Sequence, residues 1–533
     1  MGVPLASVAE PRVGLQTGDN DRFLRRWHEV AYDRIGLGCK SLGEAEKSGR
    51  KWFPYNKGGE YRKWYGNHEW VVNWEHDGQA IRSFGTENGG RPRSRVQNTH
   101  SYFQRCISWS KVTIGGFSVR VFDDGFLFDV AGCSLFPSTA DVFSPLAGLL
   151  NSRLAQALLG TLAQTVNYEV GQVAQIPLVV GWEDRTRGVS SIVEKCILIA
   201  REDWNSRETT WEYKSLPLFP RDSGTRSVSS SYDAWSALCM QRLHEMKHLE
   251  GESNLILLKA YGLEDELTPE VLDEEITLYR PDREEDVRRL LSYAVGCMMG
   301  RYSLDKEGLI YAHSGNEGFD PSQYTKFPAD EDGIVPVTEA AWFEDDAANR
   351  FERFVKSAWP ADTLDENLAF AAESLGAKKT ETPRETIRRY FASDFYKHHL
   401  QTYKNRPIYW LFSSGKQGAF EALVYLHRYN GGTLSRMRTE YVVPLLGKMN
   451  GRIGMLADTI ATATSTKQRK DAEKEKDRLT KQLAELQAFD ERLNHFASQR
   501  ITLDLDDGVK VNYGKFGDLL ADAKKVVGKT EED

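Results

Sequence analysis

Residues 51–75 read KWFPYNKGGEYRKWYGNHEWVVNWE, gathering indoles, cations and side-chain amides more densely than any other stretch of the chain. Trp52, Trp64, Trp70 and Trp74 share the run with Lys51, Lys57, Arg62 and Lys63. These residue types suit a nucleic-acid surface: aromatic faces stack on bases or wedge a groove, cations neutralise phosphates, and amides such as Asn56, Asn67 and Asn73 read base edges. The same mixture also packs ordinary sheets, as a small aromatic core with a solvated basic rim. A second cationic motif, RPRSR at 91–95, follows ENGG; it is either an arm that tracks phosphates or enters a minor groove, or a solvated loop. The candidate DNA contacts are therefore Trp52, Asn56, Lys57, Arg62, Lys63, Trp64, Asn67, Arg91, Arg93 and Arg95. Cations would set affinity and its salt dependence, while amides and some arginines would set sequence choice.

Other motifs carry less. His244, Glu245 and His248 spell HEMKH, a formal match to a helical zinc signature in which i and i+4 histidines hold the metal and the glutamate activates its water. Three fixed letters arise readily by chance in a chain this long, Lys247 would place a cation beside the metal, and no third ligand stands out. DLDDG at 504–508 misses calcium-loop spacing, and FSSGK at 412–416 lacks the upstream glycine of a phosphate cradle. GLG at 36–38 is too short for a dinucleotide fingerprint, and no serine, cysteine or histidine sits in a nucleophile elbow. The residues thus nominate no catalytic group, cofactor site or metal site.

The net charge of -8 averages unlike parts. Residues 51–120 hold eleven Lys or Arg against five Asp or Glu, a surplus of +6, so the remainder carries -14. One cationic face on an acidic molecule presents a defined side to a polyanion and repels it elsewhere. Six scattered cysteines without metal-ligand spacing, no apolar run of membrane-spanning length and no signal-peptide core point to a reduced, cytoplasmic setting.

These residues need a scaffold, and 533 residues exceed one hydrophobic core. Residues 14–180 look mixed: Gly and Asn cluster in turns between β-type runs at Val112–Ile114, Phe117–Phe122 and Phe126–Val130, then 145–162 shows helical spacing and 166–178 an extended segment ending in Pro177. DWNSRETTWEYKSLPL at 203–218 and the polar 223–231 stretch mark a boundary. Beyond it the pattern is mostly helical, with Tyr232–Tyr261 and Glu284–Met299 as helices. Apolar steps of three and four from Ile453 to Ile460 and from Leu479 to Phe496, among Lys and Glu, predict an antiparallel helical hairpin or short coiled coil within 440–500, more a docking arm than a catalytic element. The tail 501–516 alternates around Asp507-Gly508 as a β-hairpin would. The expected class is α+β: a mixed α/β recognition domain (1–218), a helical domain (219–330), and a helical C-terminal domain (331–533) with the hairpin and a β-type tail.

Taken in order, GLQTGDNDRF (14–23), KWFPYNKGGEYRKWYGN (51–67), LLNSRLAQALLGTLAQTVNYEVGQVAQIPL (149–178) and DWNSRETTWEYKSLPL (203–218) resemble segments of PglX proteins. So do LLSYAVGCMMGRYSLDKEGLIYA (290–312), YKNRPIYWLFSSGK (403–416), YLHRYN (425–430) and LDLDDGVKVNYGKF (503–516). PglX is the adenine-specific DNA methyltransferase of bacteriophage-exclusion (BREX) defence systems. The resemblance covers only the C-terminal part of that family, because the Asn-Pro-Pro-Tyr motif and the Phe-x-Gly-x-Gly loop for S-adenosylmethionine have no counterpart here. It implies a target-recognition and helical region, inactive alone, that binds double-stranded DNA for a separate or missing catalytic half and docks other BREX proteins, as a split gene product, truncated gene or excised piece would. Leu149–Ser152 and Asn167–Leu178 correspond to the closing half of the recognition domain. The rival expectations are a protein-interaction module without direct DNA reading and a zinc enzyme built on HEMKH.

Overall fold

The computed structural model describes residues 2–162, 166–219 and 226–528, so residues 223–225 of the expected polar boundary lie outside the described residues. The chain forms two compact units: residues 1–213 with 235–281, and residues 214–234 with 282–533. Segment 235–281 thus completes the N-terminal unit, although it lies beyond the boundary at 218 read from the sequence.

The first unit contains β1 (Val3–Pro4), β2 (Ala9–Arg12), β3 (Leu24–Arg26), β4 (Trp52–Asn56), β5 (Trp70–Asn73), β6 (Cys106–Ser110), β7 (Val119–Phe122), β8 (Leu127–Phe128), β9 (Gly132–Pro137) and β10 (Pro177–Leu178). One antiparallel sheet has the order β2-β9-β6-β7; the other has the order β3-β5-β4-β8, with only β4 and β8 parallel. Alternation divides the first sheet between two environments. Ile107, Trp109, Val119, Val121 and Leu135 join a core with the helices Phe143–Leu150 and Val189–Trp204, while Cys106, Phe122 and Phe136 join a second core with Phe53, Tyr55 and Val72. Val112–Ile114, expected as strand, makes only an isolated antiparallel bridge, Val112 with Asn167, in the loop between β6 and β7, because the glycine pair that follows turns the chain there.

The predicted helix at 145–162 is two helices, Phe143–Leu150 and Arg153–Leu162. The break is made by Asn151, whose amide mimics a strand: Val119 N donates to Oδ1 at 2.8 Å and Nδ2 donates to Val119 O at 3.1 Å. Ser152 Oγ accepts from Ala155 N at 3.2 Å at the start of the second helix. The extended reading of 166–178 also needs correction. Asn167 bridges Val112 antiparallel, but Glu169 and Gln172 then form a capping box that starts the helix Val170–Ala174, and the chain returns to strand at Pro177–Leu178, paired with β1.

The second unit surrounds a small antiparallel sheet, ordered β11-β13-β12, of β11 (Ile334–Pro336), β12 (Tyr409–Ser413) and β13 (Glu421–Tyr425). Its helices start where the side chains dictate: Asp282 caps Arg283–Met298, Asp346 caps Ala347–Ala358, and Thr382 with Glu385 and Pro383 opens Pro383–Ser393. The predicted hairpin is present as Val443–Thr462 and Thr466–Ser498. Arg452 pairs with Glu475 at 2.8 Å and Arg438 with Asp490 at 2.8 Å, which fixes the antiparallel register. The tail is not a β-hairpin. Asp504 begins a 3-10 turn at Leu505–Asp507, and Gly508–Gly514 is helical with Val509, Asn512 and Tyr513 buried and Val511 exposed. The three-and-four spacing overrides the two-residue alternation there.

Candidate nucleic-acid interface

The aromatic-basic run builds the interior of the first unit. Trp52 is 1% exposed and lies under the cations of Arg25 and Lys51. Asn56, at the end of β4, is fully buried: Nδ2 donates to Ser108 Oγ at 2.6 Å, and Oδ1 accepts from Gly58 N at 3.1 Å. Arg62 bonds Asp203 at 2.6 Å, Tyr65 O at 2.7 Å and Thr277 O at 3.1 Å. Lys63 Nζ and Trp64 Nε1 both donate to Glu250, each at 2.7 Å. Asn67 is buried, with Nδ2 donating to Glu60 O at 2.9 Å. Nucleic acid laid on this surface would not reach any of these six side chains.

Electrostatics keeps these groups where they are. Burial pulls the Lys63 pKa down, but Glu250 and Tyr61 outweigh it and hold the ammonium above its usual value. His68 sits among Tyr65, Phe122, Phe126, Trp204 and Trp211. Burial, with Arg201, Arg120 and Arg62 nearby, lowers it to about 3, so it packs as a neutral ring.

Lys57 and the RPRSR arginines are placed differently. Lys57 keeps a quarter of its side chain exposed, donating to Asp129 at 2.7 Å and to Asn20 Oδ1 at 3.3 Å. Arg91, Arg93 and Arg95 are exposed. Their loop is pinned at its base: Gln16 and Arg95 pair backbone to backbone in both directions, at 3.0 and 2.8 Å, and Arg93 N donates to Phe84 O at 2.8 Å. A Cβ on Gly85, at φ +86°, would lie 2.8 Å from Arg91 O, so the turn needs glycine. Arg22, which the sequence alone did not single out, is exposed in GLQTGDNDRF and shares the Phe84 ring with Arg93, at 5.0 and 5.4 Å.

Among the described residues, Arg22, Arg91, Arg93 and Arg95 have no carboxylate partner. Many cations of the same unit do: Arg26 pairs with Glu69, Arg82 with Asp77, Lys111 with Glu169, Arg153 with Glu275 and Arg201 with Asp123. The exposed amide side chains of Gln16 and Asn20 lie in the segment beside the arginines.

The remaining motifs resolve into structural roles. His244, Glu245 and His248 are exposed on the helix Val228–Tyr261, Lys247 bonds Asp273 at 2.6 Å, and no metal-binding group of three His, Cys, Asp or Glu occurs among the described residues, so the zinc alternative has no support. At FSSGK, Glu485 takes the donors a phosphate would need, accepting from Gln417 N at 2.7 Å, Ala419 N at 3.3 Å and Ser414 Oγ at 2.8 Å. Among the described residues no helix is long and apolar enough to cross a membrane.

The site and fold define an α+β chain that carries, on a mixed sheet domain, an exposed arginine cluster without carboxylate partners among the described residues. No protein-family model matches the sequence. The chain is similar to the adenine-specific methyltransferase BrxX of Escherichia coli O9:H4 (strain HS), at 41% identity over 548 residues, covering 97% of this chain and 43% of the relative. It is also similar to the adenine-specific methyltransferase PglX of Lacticaseibacillus casei (strain Zhang), at 37% identity over 517 residues, covering 96% of this chain and 42% of the relative. The chain thus spans less than half the length of these curated relatives.

Proposed function

We propose that this chain is the DNA-recognition and assembly portion of an adenine-specific DNA methyltransferase of the BREX type. The observation that carries this reading is the cluster Arg22, Arg91, Arg93 and Arg95, exposed and without carboxylate partners beside Lys57, Gln16 and Asn20. Free guanidinium groups neutralise phosphates and, when bidentate, read guanine; the amides read adenine. Trp52, Asn56, Arg62, Lys63, Trp64 and Asn67 are buried within the same unit and, in this reading, serve its packing rather than DNA contact. Similarity to two adenine-specific methyltransferases supports DNA as the polyanion.

S-adenosylmethionine and the methyl transfer belong, in this reading, to a catalytic portion outside the chain. Duplex DNA is the partner, together with that catalytic portion and other BREX proteins.

The test is fluorescence anisotropy with duplex DNA across a salt series. Arg91→Ala, Arg93→Ala and Arg95→Ala combined should weaken binding at least tenfold and reduce the slope of log K against log salt by roughly 0.9 per lost phosphate contact. An unchanged slope would count against this surface. The rival reading, a protein-interaction module, is favoured by the charged helical hairpin, where Met455 is 58% exposed; retention of a BREX protein without DNA retention at low salt would support it.

A further inference from the structure

The loop between β6 and β7 carries Ile114 at its tip, 98% exposed, with Val112 58% exposed two residues earlier. An isoleucine in that position contributes nothing to either core. The loop beneath it is nevertheless fixed: Thr113 N donates to Val166 O at 3.2 Å, Tyr168 N donates to Lys111 O at 2.8 Å, and Gly115 lies so close to Tyr61 that a Cβ would stand 2.6 Å from it. The structure therefore holds one aliphatic side chain out into solvent on a braced turn.

The strand register places this tip at the end of the first sheet from which the chain also runs on toward the arginine loop. Arg12 of β2 pairs with Ser134 and Ser110 of β6 pairs with Gly132, so the chain leaves both strands at the same end of the sheet. From β2 it runs to Gln16, which pairs with Arg95, and to Asn20, which receives Lys57. Gly58, next to Lys57, packs on Ala131 O, the same carbonyl that accepts Lys111 N at 2.9 Å. Cations and the apolar tip thus follow one another along one end of the sheet.

We propose that Ile114 is a wedge that enters a base step of duplex DNA held by this cationic surface, partly unstacking and kinking it. The proposal rests on the DNA-binding reading above. Stacked bases lie about 3.4 Å apart, a gap a single aliphatic side chain can open, and phosphate-binding cations beside such a side chain are the combination by which wedging proteins bend DNA. The tip itself offers one fully exposed isoleucine between polar and glycine neighbours.

The experiment uses the whole chain and a mixed-sequence duplex of about 30 base pairs, labelled with donor and acceptor dyes at its ends, long enough for a kink of tens of degrees to shorten the dye separation. The wild type should raise transfer efficiency on binding. Ile114→Ser, which removes no buried contact, should bind within about threefold of wild type yet lose most of that rise, and 2-aminopurine in the duplex should lose its unstacking signal in parallel. Binding without a rise in efficiency, or an equal rise with Ile114→Ser, overturns the wedge while leaving the DNA-binding reading intact. Absence of binding overturns that reading and the wedge together.

Discussion

Lys63, Trp64 and Glu250 form one buried unit in which a single carboxylate satisfies an ammonium and an indole N–H, with the two charged side chains each 4% exposed. Removing one member leaves the others without a partner, which is costlier than removing the set. Glu250→Ala should therefore destabilise the chain by about 3–5 kcal/mol, whereas Lys63→Met and Trp64→Phe combined with Glu250→Leu should recover most of the loss, as read by denaturant unfolding. The sequence did not reveal this arrangement, because Lys63 and Glu250 are 187 positions apart and nothing local distinguishes a lysine bound for a core from one bound for phosphate. RPRSR was legible as an arginine loop, since the two glycines and proline at its start already describe an exposed turn.

At the scale of elements, long helices such as Val228–Tyr261, Arg283–Met298 and Thr466–Ser498 were legible because apolar residues repeat over several turns, whereas Val189–Trp204 was not read and 145–162 was read as one helix where Asn151 makes two. Short elements were not, because two periods fit them equally well. In the tail, Val509, Val511 and Tyr513 alternate like a strand, while Val509, Tyr513 and Phe516 recur like a helix, and burial follows the second set. Tyr513→Ala should accordingly cost about 3–5 kcal/mol, since its ring is fully buried against Trp410 and its hydroxyl meets that of Tyr396 at 2.6 Å. Val511→Thr should change stability by less than about 0.5 kcal/mol. Equal costs at the two positions in thermal melts would contradict the helical tail.

For the whole molecule, acid should act unequally on the two units. His68 in the first and His399 in the second are both lowered to about 3, by burial first and then by neighbouring arginines. The unfolded chain binds protons at these histidines below about pH 6.5 while the folded chain does not, so stability falls as pH drops from there toward 3. In the second unit, burial raises Glu421 to about 7, and burial together with Asp330 raises Asp332 to about 8. Those folded-state carboxyls take up protons before the unfolded chain does, so their contribution grows as pH falls and offsets His399. Hydrogen exchange should show the amides of β4 losing protection between pH 7 and 5 while those of β12 hold, with rates corrected for intrinsic pH dependence. His68→Phe should remove about 2 kcal/mol of that loss. The net charge of -8 alone would suggest a molecule that avoids polyanions; the clustering of cations near one sheet end is what makes a DNA-binding role tenable. The amide of Asn151 adds a consequence of a different kind. By occupying both the N–H and the C=O of Val119, it closes the outer rim of β7, where Trp64 also pairs on either side of Arg120. Covered in this way by the Asn151 amide and the Trp64 backbone, the edge of β7 leaves little template for strand addition by a neighbouring chain.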